Sequence, residues 1–140
     1  MKRNAYLFFV CFSIVAATAA QKLQQYKWKH RILILTDQTG DEHAIAEQLE
    51  LFNTEEKAMQ ERDLIVLINN GSVITNQKGE LLSIDPSQLP EKNHHGILLI
   101  GKDGGLKATY PFDTDPNVIF DRIDSMPMRR AEMRRSKTKN

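Results

Sequence analysis

The sequence predicts an α/β fold with a mixed four-stranded central sheet, ordered βαβ then ββα and flanked by helices. Three observations predict it. Residues 31–36 (RILILT) and 64–68 (LIVLI) are short apolar runs separated by apolar residues at helical spacing, the pattern of a strand–helix–strand unit. Residues 96–110 (GILLIGKDGGLKATY) join an unbroken apolar run to an alternating one across an Asp-Gly turn, the pattern of a β-hairpin. Asp115-Pro116 then opens a last helix, aspartate as its N-cap and proline at its first position.

Residues 1–20 stand outside this fold. Lys2 and Arg3 make a basic start, 6–15 an apolar core, and Ala17-Thr18-Ala19 a small-x-small cleavage motif, together the pattern of an export signal. About 13 apolar residues fall short of the ~20 that a spanning helix needs, so the expectation is a periplasmic or secreted protein with no stable membrane span after cleavage. Cys11 is the single cysteine and lies inside the apolar core, without the preceding small residues of a lipoprotein site. The mature chain is then free of thiols, which excludes disulfides, a Cys-x-x-Cys centre, a peroxidatic or other cysteine nucleophile and a zinc–thiolate site.

Removing residues 1–20 leaves one domain of ordinary size, read as 21–136 with a basic tail at 137–140. It also removes Lys2 and Arg3, so 17 cations face 18 carboxylates, a net charge of −1. From Pro127 onward six cations meet only Glu132, net +5, and the rest of the mature chain is −6. A basic end on an acidic body suits an anionic partner or a self-solvating terminus.

Taken in order, 21–30 is a polar lead-in whose Trp28 is expected to pack against the sheet edge. The 31–36 run suits the centre of a sheet. Thr39 and Glu42 have the spacing of a capping box, and Ile45, Leu49 and Phe52 follow at helical spacing. Asn53-Thr54 either interrupts that helix or lies within it. The segment 69–95 is long and mixed, with small strands expected at 72–75 and 80–84. In the hairpin, Asp103-Gly104 supplies the positive φ angles of a tight turn. Leu106, Ala108 and Tyr110 alternate with Lys107 and Thr109, as on an edge strand with one wet face. Val118, Ile119, Ile123 and Met126 form the last apolar stripe, and 128–135 resumes as a basic helix.

This order of elements is that of a thioredoxin-like core, with the first strand between the second and the third. The segments KWKHRILIL (27–35), ERDLIVL (61–67), LLIGKDGGLK (98–107) and IDSMPMRRAEM (123–133) resemble the prokaryotic domain of unknown function 4174. That family is similar to modules of secreted vertebrate matrix proteins, including sushi-repeat proteins. The resemblance spans about 26–134 and implies a thioredoxin- or peroxiredoxin-like fold outside the cytoplasm, without an established activity. In such a fold chemistry belongs at 36–41 and 94–96, where no cysteine stands.

The recognisable charges gather at the opposite pole. Arg31, Asp63, Lys102, Asp103, Asp124, Arg129 and Arg130 are expected to form one cluster, either a structural network tying the last helix to the hairpin or a surface for a ligand or partner. His94-His95 is the conspicuous metal-capable pair, but neighbours in an extended segment point to opposite faces. A site would need Asp37, Asp41 or His43 to converge on one of them. No P-loop, nucleophile elbow or HExxH motif occurs, and no cofactor or catalytic residue is assigned. The tail lacks the aromatics that stack on nucleic acid, so an unidentified protein or polyanion is the expected partner of a monomer. Two readings follow: a non-enzymatic binding or structural module, or a non-thiol enzyme or metal-dependent protein using 36–41 with His94 or His95.

Overall fold

The computed structural model describes residues 23–91 and 93–139; the export signal expected at 1–20 lies outside them. Strand β1 (Arg31–Thr36) leads through helices α1 (Glu42–Asn53) and α2 (Glu56–Glu61) to β2 (Leu64–Asn69). Short strands β3 (Ile74–Asn76) and β4 (Leu81–Leu82) follow, then the hairpin of β5 (Gly96–Ile100) and β6 (Leu106–Tyr110). Helices α3 (Pro116–Asp124) and α4 (Pro127–Thr138) close the chain. The strands form one mixed sheet in the order β4-β3-β2-β1-β5-β6. β1 is parallel to β2 and antiparallel to β5, and every residue of its apolar run is buried. The sheet has six strands, not four, because β3 and β4 extend it past β2.

The pleat sends alternate side chains to opposite faces, and the inner strands divide accordingly. Leu33, Leu35, Val66, Ile97 and Leu99 meet Ile45 and Phe52 of α1, Met59 of α2, and Ile119, Phe120 and Ile123 of α3. On the other face Ile32, Ile34, Leu67, Leu98 and Ile100, joined by Ile74 of β3, are covered by Ile84 and Leu89, with Leu23 and Tyr26 of the lead-in packed against them. Helical flanking therefore holds for one face; the second is closed by loop and 3₁₀ segments. Each such side chain contributes about 1.5–3 kcal/mol by leaving water, and β1 supplies four of them from its two faces.

Several local expectations are corrected. Asp41, not Thr39, caps α1, accepting from the His43 and Ala44 amides at 3.2 and 3.4 Å. Gly40, at φ +83°, turns the chain between Thr39 and the helix, and the Thr39 hydroxyl donates to Asp37 instead. The helix does break at Thr54, giving α1 and α2. Asp115 caps α3 as expected, but Val118 is exposed and Phe120 fills its place in the buried stripe, since the sheet lies against positions 119, 120 and 123.

In the turn of the hairpin only Gly104 has a positive φ (+82°). Its N–H donates to the Gly101 carbonyl, and the Gly101 N–H donates to the Gly105 carbonyl, both at 2.9 Å, as in a three-residue loop with glycine in its left-handed position. The register then slips: Leu99 opposes Ala108 while Ile100 opposes Leu106, leaving Lys107 as the extra residue. This bulge sends Leu106 to one core face and Ala108 and Tyr110 to the other, where strict alternation had put all three together. Trp28 does not pack against the sheet. It is 64% exposed, and Tyr26 takes the covering role.

Candidate functional site

The start of β1, the turn before β2, the β5–β6 turn and the α3–α4 junction meet at one pole. Arg31 is the first residue of β1, so its backbone belongs to the sheet and its side chain is buried at 1% exposure. Its N–H donates to the Asp63 carbonyl at 2.8 Å, and Asp63, at φ +47°, makes the sharp entry to β2. The Arg31 guanidinium donates to the Arg62 carbonyl at 2.8 Å and, through both terminal nitrogens, to the two Glu132 carboxylate oxygens at 3.2 Å. This bidentate fork is the strong geometry for an arginine and a carboxylate. Lys102 Nζ donates to Glu132 at 2.8 Å and to Asp63 at 2.6 Å.

A second knot lies alongside. Arg62 donates to Asp124 at 2.6 Å and to the Ala58 carbonyl, and its guanidinium stands over the Phe120 ring at 4.7 Å. Arg129 donates to Asp124 at 3.0 Å and to the Glu61 carbonyl at 2.7 Å, and approaches Glu132 at 3.8 Å. Burial pushes the Glu132 carboxyl up, but hydrogen bonds and charge from Lys102 and Arg31 outweigh it and hold the group below its ordinary range. The same balance, set by Arg62 and Arg129, lowers Asp124.

Of the seven residues expected to cluster, Arg31, Asp63, Lys102, Asp124 and Arg129 do. Asp103 does not join them: it pairs with Lys107 at 2.6 Å and accepts from the Gly105 amide, which hold its carboxyl below its ordinary value. Arg130 is exposed on the outer side of α4. Two members were missed. The available signals were slight: Glu132 is the lone carboxylate in a cationic run, which reads as solvated, and Arg62 sits beside Asp63.

The network leaves an open groove next to it of about 400 Å³. The β5–β6 turn forms one wall, with Lys102, Asp103 and Lys107 beside Arg31 of β1; the α3–α4 junction forms the other, with Arg122, Met126 and Met128. Arg31 and Lys102 are already paired with Glu132, and Lys107 with Asp103, whereas Arg122 has no carboxylate at ion-pair distance among the described residues; a cation beside methionine side chains suits an anionic group attached to an apolar body.

At the opposite pole, Asp37 follows β1 and is 2% exposed. It accepts from the Thr39 amide and hydroxyl at 2.8 and 2.7 Å, and lies 3.0 Å from His95 Nδ1. Burial raises its pKa, yet these hydrogen bonds prevail and hold it at about 2. His95 is half-exposed and meets Phe112 edge-on at 5.0 Å between centroids. His94 turns away to the Tyr110 carbonyl at 3.3 Å, so the two imidazoles diverge. Among the described residues no three His, Cys, Asp or Glu side chains converge to hold a metal ion, and Asp41 is occupied in capping α1.

The family model described as "Domain of unknown function (DUF4174)" matches residues 22–132. Coiled-coil domain-containing protein 80 of Danio rerio is 27% identical over 133 residues, covering 79% of this chain and 15% of that protein. The chain thus corresponds to a small part of that relative's length. No solved structure matches it.

Proposed function

This chain belongs to the DUF4174 domain family, and we propose that it is an exported, thioredoxin-like module that binds a partner without catalysing a reaction. The observation that carries this reading is the groove of about 400 Å³ in which Arg122 stands with Met126 and Met128 across from Arg31, Lys102, Lys107 and Asp103. The neighbouring network fixes its walls, so the cations are ordered before a ligand arrives, which lowers the entropy lost on binding. The thioredoxin-like element rests on the placement of β1 between a parallel β2 and an antiparallel β5. Export rests on the pattern of residues 1–20, and the absence of redox chemistry on Cys11 being the single cysteine. The partner is an anionic protein or polyanion. The test is affinity capture from envelope or culture fluid with the whole chain and with Arg122→Glu, which reverses a groove charge outside the network. A species captured by the parent and lost with Arg122→Glu supports the reading; identical captures refute it.

A second reading rests on Asp37 and His95. A buried carboxylate orienting a half-exposed imidazole is the arrangement of a proton-transfer dyad or of a metal-ligating histidine with its supporting carboxylate. Zinc calorimetry on the parent and on His95→Ala tests the metal version; heat that vanishes in the variant favours it.

A further inference from the structure

We propose that Trp28 is the anchor of an interaction surface for an acidic polypeptide segment, and that its backbone is held so as to present the indole outward. The inference rests on the binding-module reading and names the residue that docks the partner. Trp28 is the sole tryptophan of the chain and the most exposed aromatic side chain among the described residues, at 64%. Its φ of +66° lies in the left-handed region, which a bulky side chain rarely adopts. Three hydrogen bonds enforce that conformation: the Trp28 N–H donates to the Lys102 carbonyl at 2.6 Å, and the Lys29 and His30 amides both donate to the Tyr26 carbonyl, at 3.0 and 2.9 Å. Tyr26 is itself packed on the core. The indole is thus displayed by a rigid turn instead of dangling from a mobile one, and strain held in place by surrounding structure is a mark of functional positions.

The chemistry around the ring selects the partner. Lys27 Nζ stands 5.6 Å from the ring centroid, Lys29 is exposed, and neither has a carboxylate partner among the described residues. The hairpin turn against which Trp28 is bonded also forms a wall of the cationic groove through Lys102. A segment with carboxylates for these cations and an apolar side chain for the indole satisfies both. A polysaccharide platform would need further exposed rings, whereas among the described residues the other large exposed apolar side chains are Leu51, Val73, Leu81, Val118 and Met128. Those residues are dispersed over several elements, which does not make the continuous apolar face of a membrane-surface protein.

Because Trp28 is the only indole, its own emission reports on the surface. The whole chain is titrated with a short peptide alternating glutamate and phenylalanine, and in parallel with phosphatidylserine vesicles. The expected result is a blue-shifted emission of the parent with the peptide, weakened by salt, and, by calorimetry with the same peptide, which reads variants lacking the indole, a loss of affinity of roughly tenfold or more in Trp28→Gly. Glycine accepts a φ of +66° without strain, so this variant is expected to melt at or above the parent temperature; Trp28→Asn, also tolerant of that region, serves as the second variant. Unchanged emission at high peptide concentration overturns the proposal, as does full binding by both variants. A lower melting temperature in both with binding intact assigns Trp28 a structural role and also overturns it. A shift with vesicles alone transfers the surface to lipid. If Arg122→Glu abolishes partner capture while Trp28→Gly does not, the module reading stands and this one fails.

Discussion

Glu132 holds the charged pole together, because among the described residues it alone accepts from both Arg31 and Lys102. Glu132→Gln leaves a buried guanidinium without its counter-charge, and the expected loss is about 1–3 kcal/mol in urea unfolding. Asp103→Ala removes a pair whose members are 31% and 42% exposed, and the expected loss is below about 1 kcal/mol. Equal effects would show that burial does not rank these pairs. The sequence made Arg31 and Lys102 visible because they sit where a strand begins and a hairpin turns. It hid Glu132, because a carboxylate within a basic run reads as solvated until α4 is laid against β1. Trp28 was misplaced for a related reason: its hydrophobicity argued for burial, and its backbone conformation overruled it.

At the scale of elements, the hairpin depends on two glycines for different reasons. Gly96 opens β5 at φ +135°, and a Cβ there would collide with the Tyr110 carbonyl oxygen of the partner strand. Gly104 has φ +82°, but a Cβ would meet only the flexible Lys27 stem at ordinary contact distance. Gly96→Ala is therefore expected to destabilise by on the order of 3 kcal/mol, from strain and collision together, and Gly104→Ala by about 1 kcal/mol from backbone strain alone. Thermal melts of the two variants check the ordering. Helix α4 is attached in another way. None of its residues is buried, so its docking rests on polar contacts made by Arg129 and Glu132, whereas α3 is seated by Ile119, Phe120 and Ile123.

For the whole molecule, the two poles respond to acid in the same direction. Asp37 has a folded-state pKa of about 2, below the ordinary aspartate value of about 3.9, and Glu132 and Asp124 are lowered as well. A depressed folded-state pKa gives stability that is fully present above the unfolded value and is lost as pH falls through the folded one. The melting temperature is therefore expected to hold above about pH 5 and to fall toward pH 2, with a shallower fall in Asp37→Asn; an unchanged slope would remove Asp37 from the acid transition. By itself the sequence determined the two central strands, the hairpin, the Asp115-Pro116 helix start and the gathering of charge at one pole, since these follow from local propensity, hydrophobic period and chain order. Only the tertiary structure decided that Glu132 and Arg62 complete the network, that the bulge at Lys107 divides β6 between two core faces, and that Trp28 stays in water. Those outcomes depend on which groups non-adjacent segments bring within bonding distance, and no periodicity within a single segment carries that information.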